Sequence, residues 1–364
     1  MVLVIGAGLA GCLAALALRE RGLPVTLLSQ APALATASQF SYGGVPWWGA
    51  PALARAAELW QALERRHGPL GWQSCTLTLH GGCANPPDDP QALAAAGAGL
   101  EARLVAAGES ALVLLGDQGQ LLGLELPYGR VDGVVLAAAL PAALERAGVR
   151  RHTGSVLALE CPGASPWRVR LAGGDTLEAE TVLLAAGAAS TQLWPPLKPE
   201  LATSWAGVLA LSADDLAACD LPSGARTGIV MPLLGQRQAL EQQTPSLGEA
   251  RAVVDAGLAP WGTAWLLGQI SLVNPLGQFD PEPDPAWMEA RLRSGLARVW
   301  PQLARLPARY HQLPVSFTAT GVPLVGPVAQ APGLWVCAGV GAPFAALPPL
   351  LETLADQLAA GSRS

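Results

Sequence analysis

Apolar residues follow two rhythms along this chain, and the first begins at its opening residues. Val2-Leu3-Val4-Ile5 is an unbroken β-leaning run, the pattern of a short buried strand. After a turn carrying three glycines, apolar residues continue to Leu18 and stop at Gly22, which predicts a helix. A second strand is predicted from Pro24 to Leu28. Helical spacing returns with Leu53, Ala56, Trp60 and Leu63 before Gly68, and Cys75 to His80 reads as a strand leaving the first domain.

The segment from Gly81 to Leu126 mixes a Pro-rich loop, Asn85-Pro86-Pro87-Asp88-Asp89-Pro90, with an alanine-rich helix and short strands near Ala111 to Leu115 and Leu121 to Leu126. Asp132 then stands where a helix cap is wanted, ahead of Leu136, Leu140 and Leu144 on one face. Three strands follow, at Ser155 to Glu160, Trp167 to Leu171 and Thr181 to Ala185, the last running into Ala186-Gly187. From Trp205 to Pro314 short apolar segments such as Ile229 to Leu234 and Thr263 to Ser271 alternate with Pro and Gly turns, the second rhythm. This predicts an antiparallel sheet, with a helix started by Asp284-Pro285, faced by Met288, Leu292, Leu296 and Val299, and ended by Pro301. A strand at Leu334 to Ala338, the turn Gly339-Val340-Gly341 and a helix through Leu358 close the chain.

Chemistry enters with the first glycines. Gly6, Gly8 and Gly11 have the G-x-G-x-x-G spacing between a strand and a helix. In that setting the first allows a tight turn, the second lets the backbone approach a pyrophosphate, and the third lets helix and strand pack closely. Gly6, Ala7, Gly8, Leu9, Ala10 and Gly11 are therefore candidate dinucleotide contacts, with free helix N–H groups facing phosphate. An acidic residue is expected about 20 residues further on to meet the ribose, but the chain has Ser29-Gln30 there. That leaves NADP open as a ligand. The small, polar stretch from Ala35 to Val45, including Ser38, Tyr42, Gly43 and Gly44, suits a loop lying against a flat ring.

Composition narrows the partners. The net charge is -6 over 364 residues with one lysine, Lys198, so a nucleic-acid partner is not expected and a small-molecule substrate is. The six cysteines form no C-x-x-C pair, and no metal site is expected. Leu9-Ala10-Gly11-Cys12 imitates a lipoprotein cleavage box, but no basic residue precedes it. No apolar run reaches the roughly 18 to 20 residues of a membrane span, so the expectation is a cytoplasmic protein without one.

Taken in order, Val2 to Leu28, Ser38 to Val45, Tyr128 to Gly148, Val182 to Gly187 and Gly321 to Gly341 make the chain resemble the D-amino-acid oxidase and glycine oxidase (DAO) superfamily of FAD-dependent oxidoreductases. The resemblance implies an α/β Rossmann-like FAD-binding domain, 1–78, 128–204 and 315–364, with an inserted α+β domain, 79–127 and 205–314, whose antiparallel β-sheet holds the substrate. It implies non-covalent FAD, with Val156, Ala186, Gly187, Gly339, Val340 and Gly341 added to the contacts above. It also implies hydride transfer from a C–N bond to the flavin.

The departures fall at the substrate end. Val315 stands where the family commonly has an arginine that clamps a carboxylate, Thr320 where it has aspartate, Val340 where a polar residue is common and Phe344 where a third glycine is frequent. Losing one partner of a buried charge pair costs roughly 2 to 5 kcal/mol, so an amino-acid carboxylate needs another cation. Arg309 is a candidate for that role, beside Tyr310 and His311, and so is the plainer assignment of a surface arginine. Trp47 and Trp48 are candidates for an aromatic pocket wall, and Gln269 with Ser271 for polar contacts on one strand face. An FAD-dependent oxidoreductase acting on an amine or amino acid is the reading. A flavin dehydrogenase with another acceptor, and a flavin-binding regulatory module without oxidase activity, stand as alternatives.

Overall fold

The computed structural model describes residues 1–31, 34, 36–85, 90–115, 121–161, 166–217, 219–222, 224–226, 228–279 and 281–361. Ala35 and the centre of the Pro-rich loop, 86–89, lie outside the described residues. The chain begins β1 (Val2–Ile5), α1 (Leu9–Glu20), β2 (Val25–Ser29), β3 (Gly44–Val45), α2 (Ala56–His67) and β4 (Trp72–His80). It goes on through α3 (Pro90–Ala106), β5 (Leu112–Leu115), β6 (Leu121–Val131), α4 (Gly133–Arg146), β7 (Arg150–Thr153), β8 (Val156–Glu160), β9 (Trp167–Leu171), β10 (Thr176–Ala179) and β11 (Thr181–Leu184). The second half holds α5 (Ser190–Leu193), β12 (Ala202–Ser212), α6 (Ala213–Ala217), β13 (Gly228–Pro232), α7 (Arg237–Gln242), β14 (Arg251–Trp261) and β15 (Ala264–Val273). Then come α8 (Pro285–Val299), β16 (Arg309–Phe317), β17 (Leu324–Pro327), β18 (Leu334–Ala338) and α9 (Pro343–Gly361).

A first sheet has the order β17-β18-β11-β1-β2-β7, with β1 parallel to both neighbours. Its centre is buried on both faces, which is why β1 is apolar at every position. Val2 and Val4 pack with α1, α2, α4 and α9, whereas Leu3 and Ile5 pack with Trp167 and Val169 of a small separate sheet, β10-β9-β8. The strands expected at 155–160 and 167–171 thus form a cover layer, and only the one at 181 joins the parallel sheet. β7 and β10 had no signal in the sequence, because β7 reads Arg-Arg-His-Thr and β10 is largely exposed.

The second sheet, order β16-β12-β15-β14-β13-β4-β6-β3 with β5 on β6, is mostly antiparallel. One face is covered by α8, where Met288, Leu292 and Leu296 are fully buried and Val299 is only partly so. This sheet takes β4, β6, β12 and β16 whole. The divisions placed after 78, 127, 204 and 314 therefore fall inside strands, and β4 starts at Trp72 in the second sheet rather than closing the first. No helix among the described residues is long and apolar enough to cross a membrane.

The two sheets are joined at Asp132. Its carboxylate accepts from Val134 N (2.9 Å) and Val135 N (3.3 Å), capping α4 of the first sheet's layer as the sequence suggested. It also pairs with Arg130 at 2.9 Å and accepts from Gly262 N at 2.9 Å. Arg130, at the end of β6, donates in turn to Gln73 on β4 and to the Pro260 carbonyl on β14. Both partners are buried. Removing one leaves a buried charge uncompensated, so Asp132→Ala should lower unfolding free energy by about 3 to 5 kcal/mol. Urea denaturation measures this, and a loss under about 1 kcal/mol would show that the pair is not a structural clamp.

Candidate functional site

The carboxyl ends of the parallel strands β1, β2, β11 and β18 gather on one edge of the first sheet, where open α/β sheets bind ligands. The turn after β1 is built by close approach. A Cβ at Gly6, whose φ is +106°, would strike the Ala185 carbonyl after β11, and one at Gly11 would strike the Gly6 carbonyl. Gly8 differs. A Cβ there would meet only Thr36 Oγ1 at 3.6 Å, so the space above it is open. Gly8 is also the N-cap of α1, with no side chain of its own to cap the helix and no acidic residue in the first turn. These are the features of an anion cradle, so a pyrophosphate fits Gly8, Leu9 and Ala10.

The other candidate cofactor residues surround this turn. Ala7 is buried, its carbonyl accepting from Leu34 N, and Ser38 Oγ accepts from Leu9 N at 3.4 Å. At the end of β2, Ser29 turns its hydroxyl to the Ala31 carbonyl, and Gln30 accepts from Ser155, next to Val156. Ala186 and Gly187 follow β11, and Gly187 has nothing within 4 Å of its Cβ direction. Three residues on, Ser190 Oγ is buried without a hydrogen-bond partner among the described residues. Gly339, Val340 and Gly341 follow β18, Gly339 at φ +67° and Gly341 facing open space. Open glycines and an orphaned hydroxyl along one edge suit a long, polar dinucleotide such as FAD. Cys12 and Cys337 are buried among apolar residues, and their thiols are pushed up to about 12 by burial, so neither offers a thiolate.

Phe344 belongs elsewhere. It is buried against Trp60, 6.3 Å between ring centres, and its carbonyl accepts from Trp60 Nε1 at 2.6 Å. Its departure from glycine fills the core between α2 and α9 and does not alter the substrate end. Thr320 is exposed, its hydroxyl accepting from Val322 N in a turn.

The face of the second sheet turned away from α8 carries a second cluster. Strand register sets His311, Val208, Gly268 and Gly257 in one row and Leu313, Ala206, Ser271 and Val253 in the next, with Gln269 at the bulge between them. Val315 stands in the following row, opposite Ser204. Tyr42 reaches over from the glycine loop and donates to the Gly268 carbonyl at 2.6 Å, while Gln269 Nε2 donates to Ser271 Oγ at 3.1 Å. His311 stacks on Phe40 with centroids 4.2 Å apart, and Trp261 lies 5.3 Å from Phe40 and 6.2 Å from His311. The His311 Nε2 atom is buried with no partner among the described residues, and burial and then the charge of Arg309 hold its imidazole below the ordinary value. The site thus presents a neutral imidazole amid aromatic rings.

Of the candidate substrate residues, Gln269 and His311 share this face. Arg309 is exposed on the edge strand. Trp47 and Trp48 lie at the other end of the sheet, Trp47 donating to Glu109 at 3.2 Å and Trp48 to the Pro127 carbonyl at 2.8 Å. Phe40 and Trp261 were missed, since an aromatic in a turn and one at a strand end carry no periodic signal. Because Gly8 has room for a side chain in the folded protein but not beneath a pyrophosphate, Gly8→Val should purify folded and colourless. Circular dichroism and the visible flavin band check it, and a folded variant with full flavin content would remove the pyrophosphate from this turn.

Comparison with known proteins places the chain. It is 29% identical, over 93% of its length, to the tRNA 5-methylaminomethyl-2-thiouridine biosynthesis bifunctional protein MnmC of Verminephrobacter eiseniae, covering 57% of that protein. It is 30% identical over 98% of its length to the protein of the same name from a Polaromonas species, covering 56% of it. The chain therefore spans little more than half the length of these relatives. Its structure is similar to glycine oxidase from Bacillus cereus at a TM-score of 0.72, with 17% identity over 100% of this chain and 95% of that one. The family described as FAD dependent oxidoreductase (DAO) matches residues 1–357, and the chain belongs to it.

Proposed function

We propose that this FAD-dependent oxidoreductase oxidises the C–N bond of a small amine that carries no carboxylate beside its nitrogen. The observation that carries the reading is the neutral, aromatic-lined face around His311, with half-buried Val315 in place of a cation. The relatives support the C–N centre: two are named for biosynthesis of a methylaminomethyl group and the structural neighbour for oxidation of glycine. A tRNA substrate fits poorly with a net charge of -6 and scattered arginines.

FAD, when bound, supplies the two-electron acceptor for a hydride from the carbon next to nitrogen. The chain's own residues do the rest. Gln269 and Ser271 offer polar atoms from one strand face to orient the amine. Phe40 and Trp261 screen it from water, and their ring faces attract an ammonium group as it enters. His311 Nε2, neutral at pH 7 and without a competing partner among the described residues, accepts the ammonium proton, leaving the nitrogen lone pair free to assist loss of hydride from the neighbouring carbon, which gives an iminium ion.

Anaerobic mixing with methylamine, ethylamine, benzylamine and glycine tests the reading. The simple amines should bleach the flavin faster than glycine. Colour persisting with every amine would overturn it. Val315→Arg should reverse the order by restoring a cation for the glycine carboxylate, worth roughly tenfold or more in kcat/KM.

The pH profile gives a separate check. Since the His311 value is lowered, its neutral form persists to more acid pH than an ordinary imidazole's, and the proton acceptor is lost only below that point. The acid limb of kcat/KM for amines should therefore lie on the acid side of ordinary histidine, and His311→Gln should remove it. An unchanged limb in that variant would assign it to another group.

A further inference from the structure

Phe40 and Tyr42 both reach from the glycine loop to the second sheet. Phe40 covers His311 on β16, whereas Tyr42 meets the same row further along, at Gly268 on β15 and Gly257 on β14. The backbone beside Tyr42 is firmly seated. Gly43, at φ +72°, has no room for a Cβ against the Val131 carbonyl, its own carbonyl accepts from Val131 N at 2.9 Å, and Gly44 pairs with Arg130. Tyr42 therefore starts from the Arg130–Asp132 junction and crosses to the sheet.

The ring and the hydroxyl each have a prepared place there. A Cβ at Gly257 would lie 2.8 Å from the Tyr42 Cε2 atom, so the lack of a side chain at Gly257 lets the ring lie on β14. The hydroxyl donates to the Gly268 carbonyl at 2.6 Å. Burial, and then the charge of Asp255, hold the phenol far above its ordinary range, so the donor keeps its proton at any working pH.

The carbonyl that Tyr42 holds belongs to the residue before Gln269. Strand register breaks at Gln269 toward both neighbours, between Gly207 and Val208 on β12 and between Val254 and Gly257 on β14. Ladder hydrogen bonds are disrupted at such a bulge, and the side chain there is aimed by what else holds the backbone. Gln269 Nε2 donates to Ser271 Oγ at 3.1 Å, which leaves Oε1 as the amide atom able to accept from an amine N–H.

We propose that Tyr42 is a positioning residue: by holding the Gly268 carbonyl it aims the Gln269 amide at the nitrogen of the substrate amine. The role rests on the function proposed above, and it makes the loop beside the cofactor turn also the part that places the substrate.

Titration of the FAD-loaded protein with tert-butylamine, followed by the shift of the visible flavin band, reads amine binding apart from the reaction, because the carbon beside its nitrogen bears no hydrogen to lose as hydride. Saturable binding is expected. Tyr42→Phe keeps the ring and removes only the hydroxyl, so it should retain its flavin and weaken tert-butylamine binding about two- to tenfold, the range of one net hydrogen bond. With ethylamine, the concentration giving half-maximal bleaching should rise by the same factor while the limiting rate changes less than about twofold, the split expected when the lost interaction serves binding alone.

Gln269→Ala separates positioning from packing. It should itself weaken tert-butylamine binding, and adding Tyr42→Phe to it should weaken binding no further, because residues that act through one contact are not additive. Losses that add in full, or loss of flavin from Tyr42→Phe, would overturn the proposal. A parent protein that binds and oxidises amines, with Tyr42→Phe unchanged, would overturn the role of Tyr42 alone. A parent protein silent to both amines would overturn the amine reaction and this role with it.

Discussion

The Asp132 carboxylate holds the two halves of this protein together. Its four close partners come from three directions: the first turn of α4, the end of β6 and the turn after β14. Buried ion pairs seldom add net stability over apolar packing, but they fix geometry, because a charge left alone in the interior is costly. Arg130 reaches β14 and β4 from the same point, so three strands of the second sheet are set relative to one helix of the first. The neighbouring loop inherits that placement. Trp261 donates to the Gln39 carbonyl at 2.7 Å, and a Cβ at Gly133 would strike the same carbonyl at 2.5 Å, so the 36–44 loop is pinned between the sheets.

Function follows from where this pinning leaves the loop. One side faces the Gly6-to-Gly11 turn, through Ser38 and Thr36, and the other faces the second sheet, through Phe40 and Tyr42. A dinucleotide held by its pyrophosphate at the first place would extend along the loop toward the second. The side chains it would meet there are neutral: an imidazole kept unprotonated by burial, an amide, a hydroxyl and aromatic rings. On the proposed reading that set would bind and deprotonate an amine more readily than it would bind a carboxylate, because Val315 adds no positive charge to the sheet face.

Much of the architecture was legible because its causes are local. The β1–α1 turn, the Asp132 cap and α8 each depend on residues a few positions apart, and periodicity with capping chemistry reports such elements directly. β7 was illegible because its side chains are mostly polar and it pairs on one edge of the sheet only. The glycine turn after β1 was readable for the same local reason, yet Phe344, expected at the substrate end, lies in the core against Trp60, a partner far away in sequence. The Phe40, Trp261 and His311 cluster comes from three remote segments, and only strand register brings them together. His311 was noted for its chemistry, but the stack that keeps it neutral was beyond any spacing rule.

On this reading one loop would carry the flavin from the glycine turn to the His311 face. Crystallography of the FAD-loaded protein tests it most directly. The pyrophosphate is expected over the N–H groups of Leu9 and Ala10, and the flavin ring between the 36–44 loop and the β12, β15 and β16 strands, on the face away from α8. A ring turned to solvent, or one seated away from Gln269 and His311, would contradict it.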